Sequence, residues 1–452
     1  MNIIYMHSHD TGRWIEPYGY RVPTPNLQKL SDEGTLFRKA FSACPTCSPS
    51  RSALLSGMTP HSNGMIGLSH LGFHLNQPKR HLANYLQEQG YDTVLSGVQH
   101  EIAPSHTEEL GYGLDLNKVN TGKDATERDV LSAELAADYV RSKGDGKPFF
   151  LSLGLFHTHR SGAGFPKAPE FGEVDPNTVM PPYPLGDHAE TRSDMAQFID
   201  SAKVMDHCVG LLLRSVEEAG IADETMIIYT TDHGPAFPEM KGQLKDTGIG
   251  VSLLVKWPAA CGIGEGTTID SQVSHLDIFP TICELIGSKP PAGLQGCSLL
   301  PLATGTGMRE KSFIFAETNY HVAYEPSRCI RSERYKLIRL YGPDDRKVLC
   351  NIDDSPSKSW WLERGFSGEK AEKVQLYDLA LDPYETRNVA SDHRYQKIYE
   401  ELSIHLDEWM KETNDELCHG TIPAPVGAIV KSRANISPSD KTLEQAAGDG
   451  NG

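Results

Sequence analysis

Along the first three hundred residues, short apolar runs alternate with stretches in which apolar residues recur every three or four positions. The first spacing predicts buried strands and the second amphipathic helices. Strands are predicted at residues 2–6, 91–96, 149–155, 225–231 and 251–257. Helices are predicted at 26–33, where Leu27 and Leu30 share a face and Gly34 ends the run, and at 80–89, closed by Gly90. Further helical patterns fill 126–143, 189–219 and 275–286. The alternation predicts an α/β fold with a large, mostly parallel central sheet flanked by helices. Residues 155–190 are rich in Gly, Pro and His, lack periodicity, and read as a long loop at a site.

Beyond about residue 310 the pattern changes. Residues 312–317 and 329–341 read as antiparallel strands, followed by a polar loop carrying Trp360 and Trp361. Residues 391–413 form an amphipathic helix with Tyr395, Ile398, Leu402 and Leu406 on its face. The expected organisation is a catalytic domain at 1–310, a smaller C-terminal α+β domain with an antiparallel sheet at 311–430, and a flexible tail at 431–452. There is no internal repeat.

Composition narrows the partners. The 452 residues carry a net charge of −17, with 38% hydrophobic and 23% charged residues, as in an ordinary globular protein. That balance argues against nucleic acid or an anionic membrane as partner. A small anionic substrate stays possible, because a few basic groups focused in a cleft outweigh diffuse surface charge. No apolar run reaches the roughly eighteen residues of a membrane helix. The first residues lack the basic start and long apolar core of a secretory signal, so a cytoplasmic address is expected. Nine scattered cysteines fit a reducing compartment. Cys44 and Cys47 form a Cys-x-x-Cys pair, but no second pair accompanies it to indicate structural zinc. Oligomeric state is not readable.

The chemistry-bearing residues follow the apolar runs. His9-Asp10 comes after the first strand, His157-Thr-His159-Arg160 after the strand at 149–155, and Asp232-His233-Gly234 after the strand at 225–231. In an α/β sheet these positions lie at the carboxyl edge, where ligands bind. Cys47 opens Cys-Ser-Pro-Ser-Arg, ending at Arg51.

That pentapeptide matches the Cys-x-Pro-x-Arg pattern, and the chain resembles the type I, formylglycine-dependent sulfatases of the alkaline phosphatase-like superfamily. The runs Pro60-His-Ser-Asn-Gly-Met65 and Leu376-Tyr-Asp-Leu-Ala-Leu-Asp-Pro are most similar to heparan N-sulfatases, or sulfamidases. The resemblance implies that a formylglycine-generating enzyme oxidises Cys47 to an aldehyde. Its hydrate presents one hydroxyl to attack sulfur and a second to expel the sulfate. It further implies one divalent cation held by Asp10, Cys47, Asp232 and His233, with His9 standing where a second aspartate is usual. Calcium is the usual ion, whereas two imidazoles suit manganese or zinc. Arg51 and Lys241 would clamp the anion, and His100 and His159 would handle protons. His100 belongs to Gly-Val-Gln-His, in which Val98 replaces an expected lysine. Arg160, His321, Tyr324 and Arg328 are expected to line the substrate pocket.

The expected activity is hydrolysis of a sulfate ester or sulfamate on a small anionic substrate, such as a sulfated sugar. Two alternatives stand beside it. One is a phosphonate monoester or phosphodiester hydrolase of the same superfamily, which His233 suits. The other is a catalytically impaired binding protein, motivated by His9 and Val98.

Overall fold

The computed structural model describes residues 1–143, 146–309 and 311–444. Near-continuous apolar runs put both faces of each central strand into a core. Eleven strands come first: β1 (Asn2–Ser8), β2 (Thr35–Phe37), β3 (Ala40–Phe41), β4 (Asp92–Gly97), β5 (Leu114–Asp115), β6 (Phe149–Gly154), β7 (Thr225–Thr231), β8 (Gly250–Val251), β9 (Leu253–Lys256), β10 (Thr267–Ile269) and β11 (Val273–Ser274). Eight of them form the main sheet, in the order β10-β2-β9-β7-β1-β6-β4-β5. Only β9 runs antiparallel to its neighbours, β2 and β7. The mostly parallel sheet is thus as expected.

Ile4 and Met6 of β1, with Leu151, Leu153 and Ile227, pack under the helices Ala125–Ser142 and Ala189–Glu218. The intervening residues Ile3 and Tyr5, with Phe150 and Ile228, face the opposite core with Leu54, Leu82 and Ile278. At about 25 cal/mol per Å² of buried apolar surface, these two layers dominate the stability of the sheet.

Four further strands, β12 (Ile314–Tyr320), β13 (Tyr324–Arg331), β14 (Tyr335–Leu340) and β15 (Val374–Asp378), make an antiparallel sheet in sequence order. One face packs on Phe41, Leu244 and Ile249. The helix Gln396–Glu412 covers the other through Leu402, Leu406 and Met410.

Four local expectations are corrected. The run at 251–257 is two strands, because the Ser252 N–H donates to the Gly12 carbonyl (3.0 Å) and leaves the ladder. The run at 329–341 is a hairpin that turns where the Ser332 N–H meets the Tyr335 carbonyl (2.8 Å). Trp360 and Trp361 lie on a helix, Pro356–Leu362, whose start is fixed by proline in the first turn and by Ser355 accepting from the Lys358 N–H. The segment 431–444 is not a loose tail. Lys431 N–H donates to the Val322 carbonyl (2.7 Å), and buried Lys358 donates to the Ile436 carbonyl (2.7 Å). The rest of the tail predicted there, 445–452, lies outside the described residues. No helix among the described residues is long and apolar enough to cross a membrane.

Candidate active site

Strands β7, β1, β6 and β4 are neighbours and all parallel, so their carboxyl ends share one edge. Each end is followed by ionisable side chains: Asp232 and His233 after β7, His9 and Asp10 after β1, His157 and His159 after β6, His100 after β4. Two local features make the convergence possible. Asp10 adopts φ 53°, in the left-handed region that aspartate tolerates better than most residues. This turns its N–H onto Asp232 Oδ1 at 2.8 Å. At Gly234 a Cβ would lie 1.9 Å from the Thr247 carbonyl, so only glycine lets the chain pass after His233.

Cys47 is the first residue of the helix Cys47–Ser56, all ten residues of which are buried. A helix amino terminus favours negative charge at this position. Cys47 Sγ lies 3.3 Å from His233 Nε2 and 4.0 Å from Asp10 Oδ1, and His100 lies within electrostatic reach of it. Burial alone would raise the thiol, but Lys241, His9 and His233 overcome it and hold the group well below its ordinary range. Cys44, three residues earlier and without those cations, is pushed by burial up to about 12.

The carboxylates are held by cations. Lys241 Nζ donates to Asp10 Oδ2 at 2.8 Å, pairs with Asp353 at 3.0 Å and lies 3.4 Å from His159 Nε2. Arg51 donates to Asp232 Oδ2 and the Ser8 carbonyl, each at 3.0 Å, and also meets His7. Against the cost of burial, Lys241, His159 and His233 keep Asp10 ionised well below the usual carboxylate range. For Asp232 the same opposition to burial comes from His233, Arg51 and His9.

The donor set fits a divalent cation. One ligand atom each from Asp10, Cys47, Asp232 and His233 lies within 4.8 Å of the others, and all four residues are buried. His233 Nδ1 donates to the Gly234 carbonyl (2.9 Å), which leaves Nε2 as the coordinating nitrogen. His9 Nδ1 points between the two carboxylates, 3.2 Å from Asp10 and 3.1 Å from Asp232, and its Nε2 lies 3.2 Å from His100 Nδ1. His9 thus stands in contact with both carboxylates.

His159 Nδ1 donates to the Arg160 carbonyl (2.7 Å), so Nε2 faces the site; the side chain is 25% exposed. His157 is fully buried and bonded to Asp129 (2.7 Å), a loop-holding role. His321 is buried within electrostatic reach of Lys241, Asp353 and Cys47.

Three residues expected in the pocket are placed elsewhere. Arg160 forks onto Asp194 (2.7 and 2.9 Å), donates to the Ala236 carbonyl and lies over Phe165, so its donors are spent on fixing the His159 loop. Tyr324 is buried against Tyr320, and its hydroxyl accepts from the Ile422 N–H. Arg328 is fully buried on Asp415 (2.5 and 2.9 Å) and supplies the cation for a cluster of His61, Glu317 and Asp415. Arg328→Met is therefore expected to cost about 3–5 kcal/mol, the range for stranding a buried partner. Thermal unfolding should show the loss, with activity per folded molecule unchanged. Sequence reasoning missed Asp353, His7 and His70. His70 keeps much of its surface in water, but partial desolvation lowers its ionisation and Cys47, His159 and Lys241 lie within electrostatic reach.

The fold is of the sulfatase-type, alkaline phosphatase-like architecture, and its sheet edge gathers side chains that could hold a metal ion. A sequence profile described as Sulfatase matches residues 2–288, and one described as N-sulphoglucosamine sulphohydrolase, C-terminal, matches residues 240–361. The chain is 30% identical over 440 residues to an ulvan-active sulfatase of Formosa agariphila, covering 94% of this chain and 83% of that protein. It is 29% identical over 449 residues to N-sulphoglucosamine sulphohydrolase of Homo sapiens, covering 87% and 86%. Among solved structures, a 2-O GAG sulfatase matches with TM-score 0.70 at 21% identity over 94% of each chain. The phosphonate monoester hydrolase of Agrobacterium radiobacter matches with TM-score 0.69 at 18% identity over 95% and 99%. These two share the fold alone. The chain belongs to the sulfatase family, whose general features are a formylglycine nucleophile and a metal ion. It is a sulfuric ester or sulfamate hydrolase; the phosphonate alternative has only the shared fold behind it.

Proposed function

We propose that the protein removes a sulfuryl group from a small sulfated sugar, with residue 47 as nucleophile and the residues around it in the following roles. The observation that carries the reading is the meeting of Cys47, His233 and Asp10, from three separate segments, within 4.0 Å. The hydrated aldehyde at position 47 supplies the attacking hydroxyl. His9, Asp10, Asp232 and His233 would hold a divalent cation, which would supply positive charge to the anionic group and to an ionised nucleophile. Arg51 holds Asp232 in place and balances its charge. Lys241 offers its ammonium to a sulfate oxygen. His100, bonded to His9 and within electrostatic reach of Cys47, orients the nucleophile.

His159 Nε2 delivers the proton to the departing oxygen or nitrogen. Asp10 and Asp232 are fully buried, whereas Asp353 is 19% exposed beside Lys241. A carboxylate facing an anionic substrate repels it unless that substrate also offers donors. Sugar hydroxyls, or an amine released from a sulfamate, meet this need; a plain aryl sulfate does not.

His159→Ala tests the proton-transfer role. Turnover of an alkyl sugar sulfate should fall about a hundredfold or more, the usual worth of a general acid. Turnover of 4-nitrophenyl sulfate, whose leaving group needs no proton, should fall far less. Equal losses on both substrates would remove His159 from this role. In the same assay matched sulfate, sulfamate and phosphonate substrates should rank with phosphonate last, and a phosphonate preference would overturn the reading.

A further inference from the structure

A cavity of about 1120 Å³ shares no side chain with the site around Cys47. It is built from residues 13–23, from 174–183 and from the turn carrying Tyr384, with Asp246 and Arg331 also in its wall. Two properties set it apart. Large apolar side chains left exposed elsewhere are mostly scattered, yet Tyr20, Met180, Tyr183 and Tyr384 all line this one cavity, the last being 58% exposed. Such a concentration marks a binding surface. The aromatic groups also come in pairs: Trp14 stacks on Tyr20 at 5.1 Å, and Tyr183 meets Tyr384 at 5.0 Å.

The second property is an imbalance of charge. Arg13, Arg21, Lys39 and Arg331 line the cavity against two acids, Glu16 and Asp246, and Asp246 is forked by Arg331 at 3.1 Å. Arg21 is exposed with no ion pair or hydrogen bond to its side chain among the described residues. The wall therefore suits an occupant that brings negative charge, and flat apolar faces for the aromatic pairs. In a chain of net charge −17 this is not a general surface property.

We propose that this cavity is a second, non-catalytic site for an anionic oligosaccharide. Pyranose rings offer apolar C–H faces to the aromatic groups, and their sulfate or carboxylate oxygens answer Arg21. The volume slightly exceeds the roughly 300–1,000 Å³ of small-molecule pockets, which favours several linked rings over one. The choice of a saccharide over other flat anions rests on the sugar-sulfate reading above.

Full-length Cys47→Ala protein, which cannot consume the ligand, would be titrated calorimetrically with a heparin-derived hexasaccharide and with its desulfated form. The sulfated form should bind more tightly. Arg21→Ala and Tyr384→Ala in that background should each weaken it about tenfold, as expected for loss of one ionic or stacking contact. In the otherwise native enzyme the same two changes should leave 4-nitrophenyl sulfate turnover as it is. If both variants bind the hexasaccharide as tightly as their parent, the proposal is overturned whatever the turnover. No preference for the sulfated form, or a dimer that closes the cavity and excludes saccharide, also overturns it. If the hexasaccharide binds through Arg21 while no sulfuryl substrate is turned over, the cavity stands and the catalytic reading falls.

Discussion

Cys47→Ala is expected to lose sulfuryl transfer by a factor on the order of 10⁴ or more while keeping its fold, since it removes the nucleophile outright. The side chain is small and packs beside Leu68, Val322 and Cys350, so truncating it leaves a minor cavity worth about 1 kcal/mol. Circular dichroism and thermal unfolding should therefore be nearly unchanged. Cys47→Ser sharpens the expectation. Serine presents one hydroxyl to the same His233 and Asp10 environment and can accept the sulfuryl group, but it has no second hydroxyl to expel it. One equivalent of substrate should be consumed, leaving a stable adduct about 80 Da heavier than the free protein. Continuous turnover by the serine variant would contradict a two-hydroxyl nucleophile.

Asp10→Asn and Asp232→Asn carry the next largest effect. Each removes one of the two negative charges facing the cation position, and each should lower turnover by about a thousandfold, together with the bound divalent ion measured by metal analysis. Chelation of the native protein should reproduce the loss, and adding the ion back should reverse it. The two variants should differ in metal-free stability. Lys241 keeps Asp353 as a partner when Asp10 is neutralised, whereas Asp232→Asn takes the carboxylate from the buried Arg51 guanidinium. The Asp232 variant should therefore unfold at the lower temperature, by an amount matching about 3–5 kcal/mol for a stranded buried charge. Variants that turn over normally after chelation would remove the cation from the account.

The parts of this site that were legible in the sequence sit directly after apolar strands. His9-Asp10, His159 and Asp232-His233 each follow a run whose period places its end at the sheet edge, and Lys241 lies close behind β7. Parallel pairing of those strands then fixes the convergence. Asp353 was not legible, because it reaches Lys241 from the polar segment between β14 and β15 and no local pattern records a tertiary pairing. Arg160 and Arg328 mislead for the same reason. A sequence displays a cation but not its partner, and theirs are Asp194 and Asp415, 34 and 87 residues further on. The helix around Trp360 was within reach, since Ser355-Pro356 is a start signal that the adjacent tryptophans obscured.

Peptide mass spectrometry of the active enzyme is the direct measurement of what occupies position 47. The account predicts a peptide containing residues 47–51 that is about 18 Da lighter than its cysteine form and that reacts with a carbonyl-specific hydrazide. Enzyme turning over sulfuryl substrates at full rate with an unmodified thiol at Cys47 would contradict it.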